Sequence, residues 1–470
     1  MNDQKRLLNY LLLDVLSAFL AWQLFNMARF FVFRSTIEFH SLSSFLLNAK
    51  AIVLSLIIPA FWVLVYHFSG YYVSPRRKTN LGDLLNTAIS TLAGVLIVFF
   101  VVVVNDYPKT PSLYYEIILA YYGIHFLFCW LFRFMLTGPM IVKQSKGTCN
   151  VPAVIIGTGE NAAKLLGEFN RFHCSQFYQV MGCVRIDQTG DQLPADMILG
   201  NLSDLKIIIH RYRIEELFVA IDGQESAQTH NLLNQLYQYR LPVKAAANPH
   251  DILSGKVSLF ALFGIPMVNL TPAPMPVWQQ KIKQVTDRVA ALICLILLLP
   301  VYLYLAVRVR KDAPGCIIFT QDRVGKDGKP FTIYKFRTMF QGSEEDVPQL
   351  SCKNDPRVTP FGRFMRKYRL DELPQFFNVL KGDMALVGPR PERQFFVDQI
   401  IEKAPHYYLT QHVLPGITSW GMVKYGYANT VEKMIRRLDY DILYLENQSL
   451  LIDLKILIFT LKPLFGGKGV

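Results

Sequence analysis

The chain has 470 residues, 51% hydrophobic, 13% aromatic and only 18% charged, with a mean hydropathy of +0.24. These figures exclude a single soluble globule, and they exclude intrinsic disorder, which needs the reverse balance of apolar and charged residues. The 49 Lys+Arg against 36 Asp+Glu give a net charge of +13, which suits a cytoplasmic membrane surface and phosphorylated substrates. It suits nucleic acid less well, because no basic run interleaved with aromatics forms a recognisable binding module. The 7 cysteines are scattered without a Cys-x-x-Cys pair, so they suggest neither a zinc ribbon nor a dithiol site.

Four apolar segments, 7–28, 51–68, 84–104 and 113–136, approach the ~20 residues needed to cross a bilayer. Residues 1–140 therefore read as a four-helix transmembrane bundle, and the first segment lacks a cleavage site that would mark it for removal. Lys5 and Arg6, then Arg76, Arg77 and Lys78, then Lys143 and Lys146 flank the cytoplasmic ends, whereas 105–111 is nearly neutral. Arg29, Arg34 and Lys50 in the first loop run against that orientation. Asp14 lies inside the first segment, either as a functional carboxylate or as a packing contact near a helix end. A four-helix transporter is disfavoured, since no paired broken helices occur and most of the chain lies elsewhere.

Residues 148–250 read as a small α/β doubly wound, Rossmann-like domain. A short apolar strand, 151–156, leads into Gly157-Thr158-Gly159-Glu160-Asn161-Ala162 and a helical stretch. Gly157 and Gly159 could turn the chain for a nucleotide phosphate or simply allow a helix to pack on a strand. The acidic residue expected ~20 positions on is poorly placed, with Asp187 the nearest candidate.

A linker, 251–280, precedes a fifth apolar segment, 289–307. Lys281, Lys283 and Arg288 stand before it and Arg308, Arg310 and Lys311 after it, so both ends favour the same side of a membrane. Pro300 supplies a break, and 281–311 is expected to be a re-entrant helix-break-helix; a proline-kinked span is the alternative.

Beyond Lys311 the chain is polar and dense in motifs. Lys335-Phe336-Arg337-Thr338-Met339, Leu370-Asp371-Glu372-Leu373-Pro374-Gln375 and Val387-Gly388-Pro389-Arg390-Pro391-Glu392 closely resemble the bacterial sugar transferases, the monotopic phosphoglycosyl transferases. With four preceding spans and an α/β insert, nearly the whole chain is similar to their large subgroup, the undecaprenyl-phosphate hexose-1-phosphate transferases. Pro374 belongs in a first turn, so the residues predict a helix from near Asp371 to Leu380, with Asp371 at or near its N-cap and ionised there.

The resemblance implies a catalytic domain, 312–470, α-rich and mixed, with Asp371 as nucleophile and Glu372 as ligand to Mg2+. It implies phosphate contacts from Arg366 and Lys335, with Arg337 and Gln375 in the same substrate site, and a uridine nucleotide held by Pro389, Arg390 and Pro391. The implied reaction moves a hexose-1-phosphate from a UDP-hexose to undecaprenyl phosphate, releasing UMP, at the cytoplasmic face of a bacterial inner membrane. A homodimer is a further expectation. Two departures stand out: Arg369 where relatives often carry a small hydroxyl residue, and the segment Leu414 to Val423 in place of a commoner Gly-Trp-Ala-Gln-Val ending. Apolar residues of 450–464 recur at helical spacing, as an amphipathic membrane helix or a buried one. A membrane-anchored nucleotide-sugar dehydratase or epimerase is the competing function, weakened by the lack of any Tyr-x-x-x-Lys pair.

Overall fold

The computed structural model describes residues 3–33, 41–73, 80–102, 112–145, 151–171, 178–186, 192–222, 226–246, 267–272, 275–343, 348–350, 355–426 and 428–466. It forms two compact units, one of Met1–Ala153 with Leu166–Met181, the other of Val154–Leu165 with Gly182–Val470.

In the first unit, the helices Asp3–Phe33, Ala49–Phe68, Asn80–Val101 and Ser112–Ser145 are long and apolar enough to cross a membrane. Their facing sides bury an aromatic core around Trp22, Phe25, Trp62, Tyr66 and Tyr121, while Leu56, Ile89 and Leu119 point outward. Small residues allow the close approach such bundles need: a Cβ on Gly94 would lie 2.4 Å from the Trp62 ring.

Asp14 is a packing residue of an unforeseen kind. It is buried and accepts from Arg133 Nε at 2.9 Å, Arg133 Nη2 at 3.1 Å and Tyr72 Oη at 2.8 Å. Arg133 also donates to Thr87, and its guanidinium lies over the rings of Tyr66 and Tyr71, 3.9 and 3.5 Å from their centroids. A charge so far from water persists only when paired and bonded in this way. The basic residues Arg34, Arg76, Arg77, Lys78 and Lys146, and the loop 105–111, lie outside the described residues.

A six-stranded mixed sheet opens the second part of the chain. Its strands are β1 (Val151–Ile156), β2 (Tyr178–Arg185), β3 (Ile198–Asn201), β4 (Glu216–Val219), β5 (Val243–Ala246) and β6 (Met267–Asn269), in the order β3-β2-β1-β4-β5-β6. β2 with β3 and β4 with β5 run parallel, and β6 closes the edge antiparallel to β5. Alternation with the helices Glu160–Arg171, Leu205–Tyr212 and Ser226–Tyr237 agrees with the strand and helix pattern of the sequence. β6 comes from the segment read as linker; Asp187 and 251–266 lie outside the described residues.

The fifth apolar segment forms two helices, Val277–Leu297 and Leu299–Asp312, bent by 63°. The break falls at Leu298 rather than at Pro300, which occupies the first turn of the second helix. The reason is steric: a proline has no amide to give and clashes with the carbonyl four residues back, so the preceding helix must end before it. One face of each helix is in the core, Ala291 against Ile333, Val379 and Met384, and Leu305 and Val309 against Phe336 and Met365. The opposite face leaves Ile296, Leu297 and Leu303 exposed.

The remainder is built on a hairpin of β7 (Ile318–Val324) and β8 (Pro330–Phe336), a short parallel pair of β9 (Ala385–Val387) and β10 (Gly416–Thr418), and packed helices. The tail helix Leu450–Gly466 buries one face and exposes another. Ile456 is fully buried and Asp453 is bonded to Lys283 at 2.5 Å and Tyr444 at 2.8 Å, yet Leu451, Leu454 and Ile458 face outward.

Candidate active site

The helix Pro360–Lys367 starts on Thr359, whose hydroxyl accepts the amide of Gly362 at 3.0 Å, and carries Arg366 in its last turn. Arg369 then adopts a left-handed conformation, φ 54°, which reverses the chain into a short 3-10 turn, Leu370–Glu372. Only after Pro374 does the next helix, Gln375–Lys381, begin, and Gly382 ends it at φ 95°. Asp371 thus stands in a tight turn ahead of the helix, not at its N-cap as the sequence suggested, because Arg369 delays the helical backbone.

Asp371 and Glu372 are both buried, each 8% exposed. Lys335, reaching from β8, and Arg390, from the loop after β9, meet on the same Glu372 oxygen, at 3.1 and 3.2 Å. Arg369 lies 3.7 Å from the other oxygen. Burial alone would push the Glu372 carboxyl up, but Lys335, Arg390 and Arg369 together hold it well below the ordinary carboxylate range. Asp371 goes the other way: burial and then the Glu372 charge raise it, against Lys335 and Arg366. Desolvation thus opposes the helix-end effect expected to keep Asp371 ionised. Burial also lowers Lys335, partly offset by Glu372.

These groups line a cavity of about 550 Å³. Its wall also carries Arg323, Arg366 and Met422, and the Arg366 side chain is steadied by Nε on Thr338 Oγ1 at 2.9 Å. Arg337 lines the cavity, but its guanidinium is spent on the carbonyls of Pro314 and Ala313, at 2.6 and 2.5 Å. Pro389, Pro391 and Gln375 are not among the lining residues; Gln375 is buried beside Asp371 in sequence with its Nε2 unbonded.

The loop bearing Arg390 is fixed by close backbone contact. A Cβ on Gly388 would lie 2.4 Å from Leu414 O, and one on Gly416 would lie 2.1 Å from Gly388 N. The segment that departs from the commoner ending is thus packed on this loop, with Met422 Sδ 3.3 Å from Arg390 Nη1. Sequence reasoning missed a second clamp. Glu392, buried, accepts from Arg437 Nη2 at 2.5 Å and Arg323 Nη1 at 3.4 Å, 45 residues separating Glu392 from Arg437. Its only sequence signal is that Arg437 lies on the apolar face of the helix Val431–Glu446.

No group of three or more His, Cys, Asp or Glu side chains able to hold a metal is present among the described residues. Magnesium characteristically takes one or two carboxylates and completes its shell with substrate phosphates and water, so Glu372 is the carboxylate to test for that role. Glu372 is ionised, and its Oε2 is the less engaged oxygen.

Residues 278–467 match the family described as bacterial sugar transferase, and 67–247 match one described as a CoA-binding domain. Over 49% of its length the chain is 40% identical to the UDP-N-acetylgalactosamine-undecaprenyl-phosphate N-acetylgalactosaminephosphotransferase of Aeromonas hydrophila, covering 53% of that protein. It is 34% identical, over 57% of its length, to the UDP-glucose:undecaprenyl-phosphate glucose-1-phosphate transferase of Escherichia coli K12, covering 59% of it. To the protein of the same description from Caulobacter vibrioides it is 40% identical over 39% of its length, covering 69% of that protein. The chain spans little more than half the length of the first two relatives and over two thirds of the third. With those motifs gathered on one cavity, the chain belongs to the bacterial sugar transferase family.

Proposed function

We propose that this protein is a polyprenyl-phosphate glycosyl-1-phosphate transferase that moves a hexose-1-phosphate from a UDP-hexose to undecaprenyl phosphate. The observation that carries this reading is the buried Asp371–Glu372 pair facing Lys335, Arg366 and Arg390 on one cavity, a cationic lining for a pyrophosphate with a carboxylate ready to attack it. An Asp371 oxygen attacks the phosphorus bonded to the sugar. The bond from that phosphorus to the bridging oxygen breaks, and UMP leaves with the electron pair. A phosphate oxygen of the lipid then attacks the aspartyl-phosphosugar and releases the Asp371 carboxylate.

Lys335 and Arg390 keep Glu372 ionised and aligned, and Arg366 offers its guanidinium to the phosphates. A magnesium ion held by Glu372 would supply further charge neutralisation on the phosphate oxygens. Arg390 marks the uridine nucleotide side of the site, with Pro389 and Pro391 stiffening its loop behind the wall, and Arg337 holds the Ala313–Pro314 segment beside it.

The four apolar helices anchor the chain in the inner membrane. The bent pair around Leu298 and Pro300 dips into one leaflet as a re-entrant element, so that the cytoplasmic catalytic domain meets the lipid phosphate at the headgroups. Initiation of a surface polysaccharide is the pathway role that fits this chemistry, and a homodimer is the expected assembly. The dehydratase or epimerase alternative is not favoured, since the relatives' names describe sugar-phosphate transfer. Release of UMP from a panel of UDP-sugars, dependent on undecaprenyl phosphate, tests the reading; no release from any of them would refute it.

A further inference from the structure

The mouth of the α/β sheet is closed from within. Strand order turns about β1, and the ends of β2 and β4 lie beside its end: Gly157 N donates to Val184 O and Ala220 N to Ile156 O, both at 2.9 Å. In open sheets of this kind, such a reversal is where the phosphates of a nucleotide reach the amides of the glycine turn. Here a side chain of the protein takes that place. Asp222 Oδ1, just beyond β4, accepts the amide of Asn161 at 2.7 Å, and Asn161 Nδ2 returns a bond to Ile221 O at 2.9 Å.

The two glycines serve this closure. A Cβ on Gly159 would lie 1.5 Å from Asp222 Oδ2, and one on Gly157, at φ +130°, would lie 2.0 Å from Ala220 O. What resembles a phosphate cradle in sequence is the space that the Ala220–Asp222 segment needs. Glu160 in the first helical turn is paired with Lys164 at 2.6 Å, so the Asp222 carboxylate is the charge that meets the turn's amides.

At another point the same domain grips the catalytic one. Arg240, left-handed at φ 55°, donates from Nη1 to Asp327 O and from Nη2 to Gln411 Oε1 at 2.6 Å. A strained backbone at a non-glycine residue persists only where its surroundings hold it, as these contacts do. The contact needs Gly328, where a Cβ would lie 2.1 Å from Arg240 Nη2. Nearby, Tyr237 packs with Leu409, Tyr444 and Ile456. Asp327 belongs to the turn between β7 and β8, and the last residues of β7 hold the nucleotide loop. Val324 N donates to Glu392 O at 2.9 Å, and Arg323 Nη1 donates to Pro391 O at 3.3 Å.

We propose that the α/β domain braces the Pro389–Glu392 loop through Arg240 and takes no nucleotide of its own. Arg240 is thus a positioning residue for UDP-sugar binding, which rests on the reading of that loop as the nucleotide side of the site.

The test uses the full-length protein in detergent. Arg240→Ala should raise KM for the UDP-sugar by about five- to tenfold, the worth of roughly one ordinary net hydrogen bond, with kcat held within about twofold. Arg240→Lys, which keeps one donor, should fall between the two. Amide hydrogen exchange at Arg390, Glu392 and Arg393 should quicken in the same order. A folded Arg240→Ala protein with unchanged KM and unchanged exchange would overturn the brace. If that variant does not melt cooperatively, Gln411→Ala removes one arm of the same contact and decides by the same two readouts. Adding NAD+ or CoA at about 1 mM should leave exchange across 158–163 unaltered, and protection there would overturn the closure. A wild type that releases no UMP would refute the transferase reading instead, and the exchange comparison would still decide the brace.

Discussion

Asp371 and Glu372 are consecutive residues, both buried, whose carboxyl acidities are driven in opposite directions. Three cations stand around Glu372, whereas Asp371 is desolvated and has Glu372 as its neighbour. The pair is therefore a pre-sorted site, one group held as an anion and the other carrying a proton more readily than an ordinary aspartic acid.

The first prediction concerns pH. In the proposed reaction Asp371 attacks as a carboxylate, so the acid limb of kcat/KM should lie above ~3.9, the ordinary value for aspartic acid. Its raised pKa means that the folded state holds this proton more tightly than the unfolded one. Its contribution to stability is full below ~3.9 and is lost as pH rises through the folded value. Glu372 has the opposite sign, contributing above ~4.3 and losing that contribution as pH falls through its depressed value. Asp371→Asn should cut turnover by at least about 10³-fold and abolish any trapped sugar-phosphate adduct, yet raise the melting temperature at neutral pH. A melting temperature lowered by this substitution would contradict the assignment.

Glu372→Gln should behave differently. It leaves Lys335 and Arg390 buried beside a neutral amide, at a cost on the order of 3 kcal/mol in the melt. The magnesium concentration giving half-maximal rate should rise by about tenfold or more if Glu372 holds the ion. An unchanged magnesium response would remove Glu372 from the metal site.

Within the bundle, Asp14→Asn should strip the partner from a buried guanidinium and destabilise by roughly 3–5 kcal/mol, and Arg133→Met should do likewise. The double variant should be less damaged than the sum of the two, as a double-mutant cycle in detergent melts would measure. Strict additivity would mean that the pair is not coupled.

The 63° bend supplies the fourth prediction. Cysteines placed at Gln279 and at Asp312 should both react with a membrane-impermeant reagent from the cytoplasmic side only. Labelling of the two from opposite sides would establish a true fifth span. Pro300→Ala restores a donor and removes a clash worth about 3 kcal/mol in a helix interior, so it should favour straightening and lower the activity.

Much of the site was legible because its members lie in three short motifs whose chemistry is local: a carboxylate pair, a lysine on a strand and an arginine between prolines. The backbone around Asp371 was not. Pro374 correctly announces a helix start, but the left-handed Arg369 and the 3-10 turn that follow from it depend on packing no local propensity records. Arg437 escaped for another reason, since its partner Glu392 is distant in sequence and only the tertiary fold joins them. Arg133 was legible and overlooked: an arginine inside the fourth apolar segment and an aspartate inside the first should be matched to each other. The glycine turn was read in its correct strand and helix context, yet sequence spacing could not reveal that Asp222 fills it.

The ion pair of Asp14 and Arg133 also bears on how the chain is made. Asp14 lies in the helix synthesised first and Arg133 in the helix synthesised last of the four. Until its guanidinium emerges more than a hundred residues later, the carboxylate has no partner, at a cost of about 2.5–3.5 kcal/mol for a charge at a helix centre. Helix one alone should therefore be a weaker anchor than the bundle completed by the fourth helix. Expression of a chain stopped before Ser112 should accordingly yield a product that membrane quality-control proteases remove, whereas one extended past Ser145 should persist.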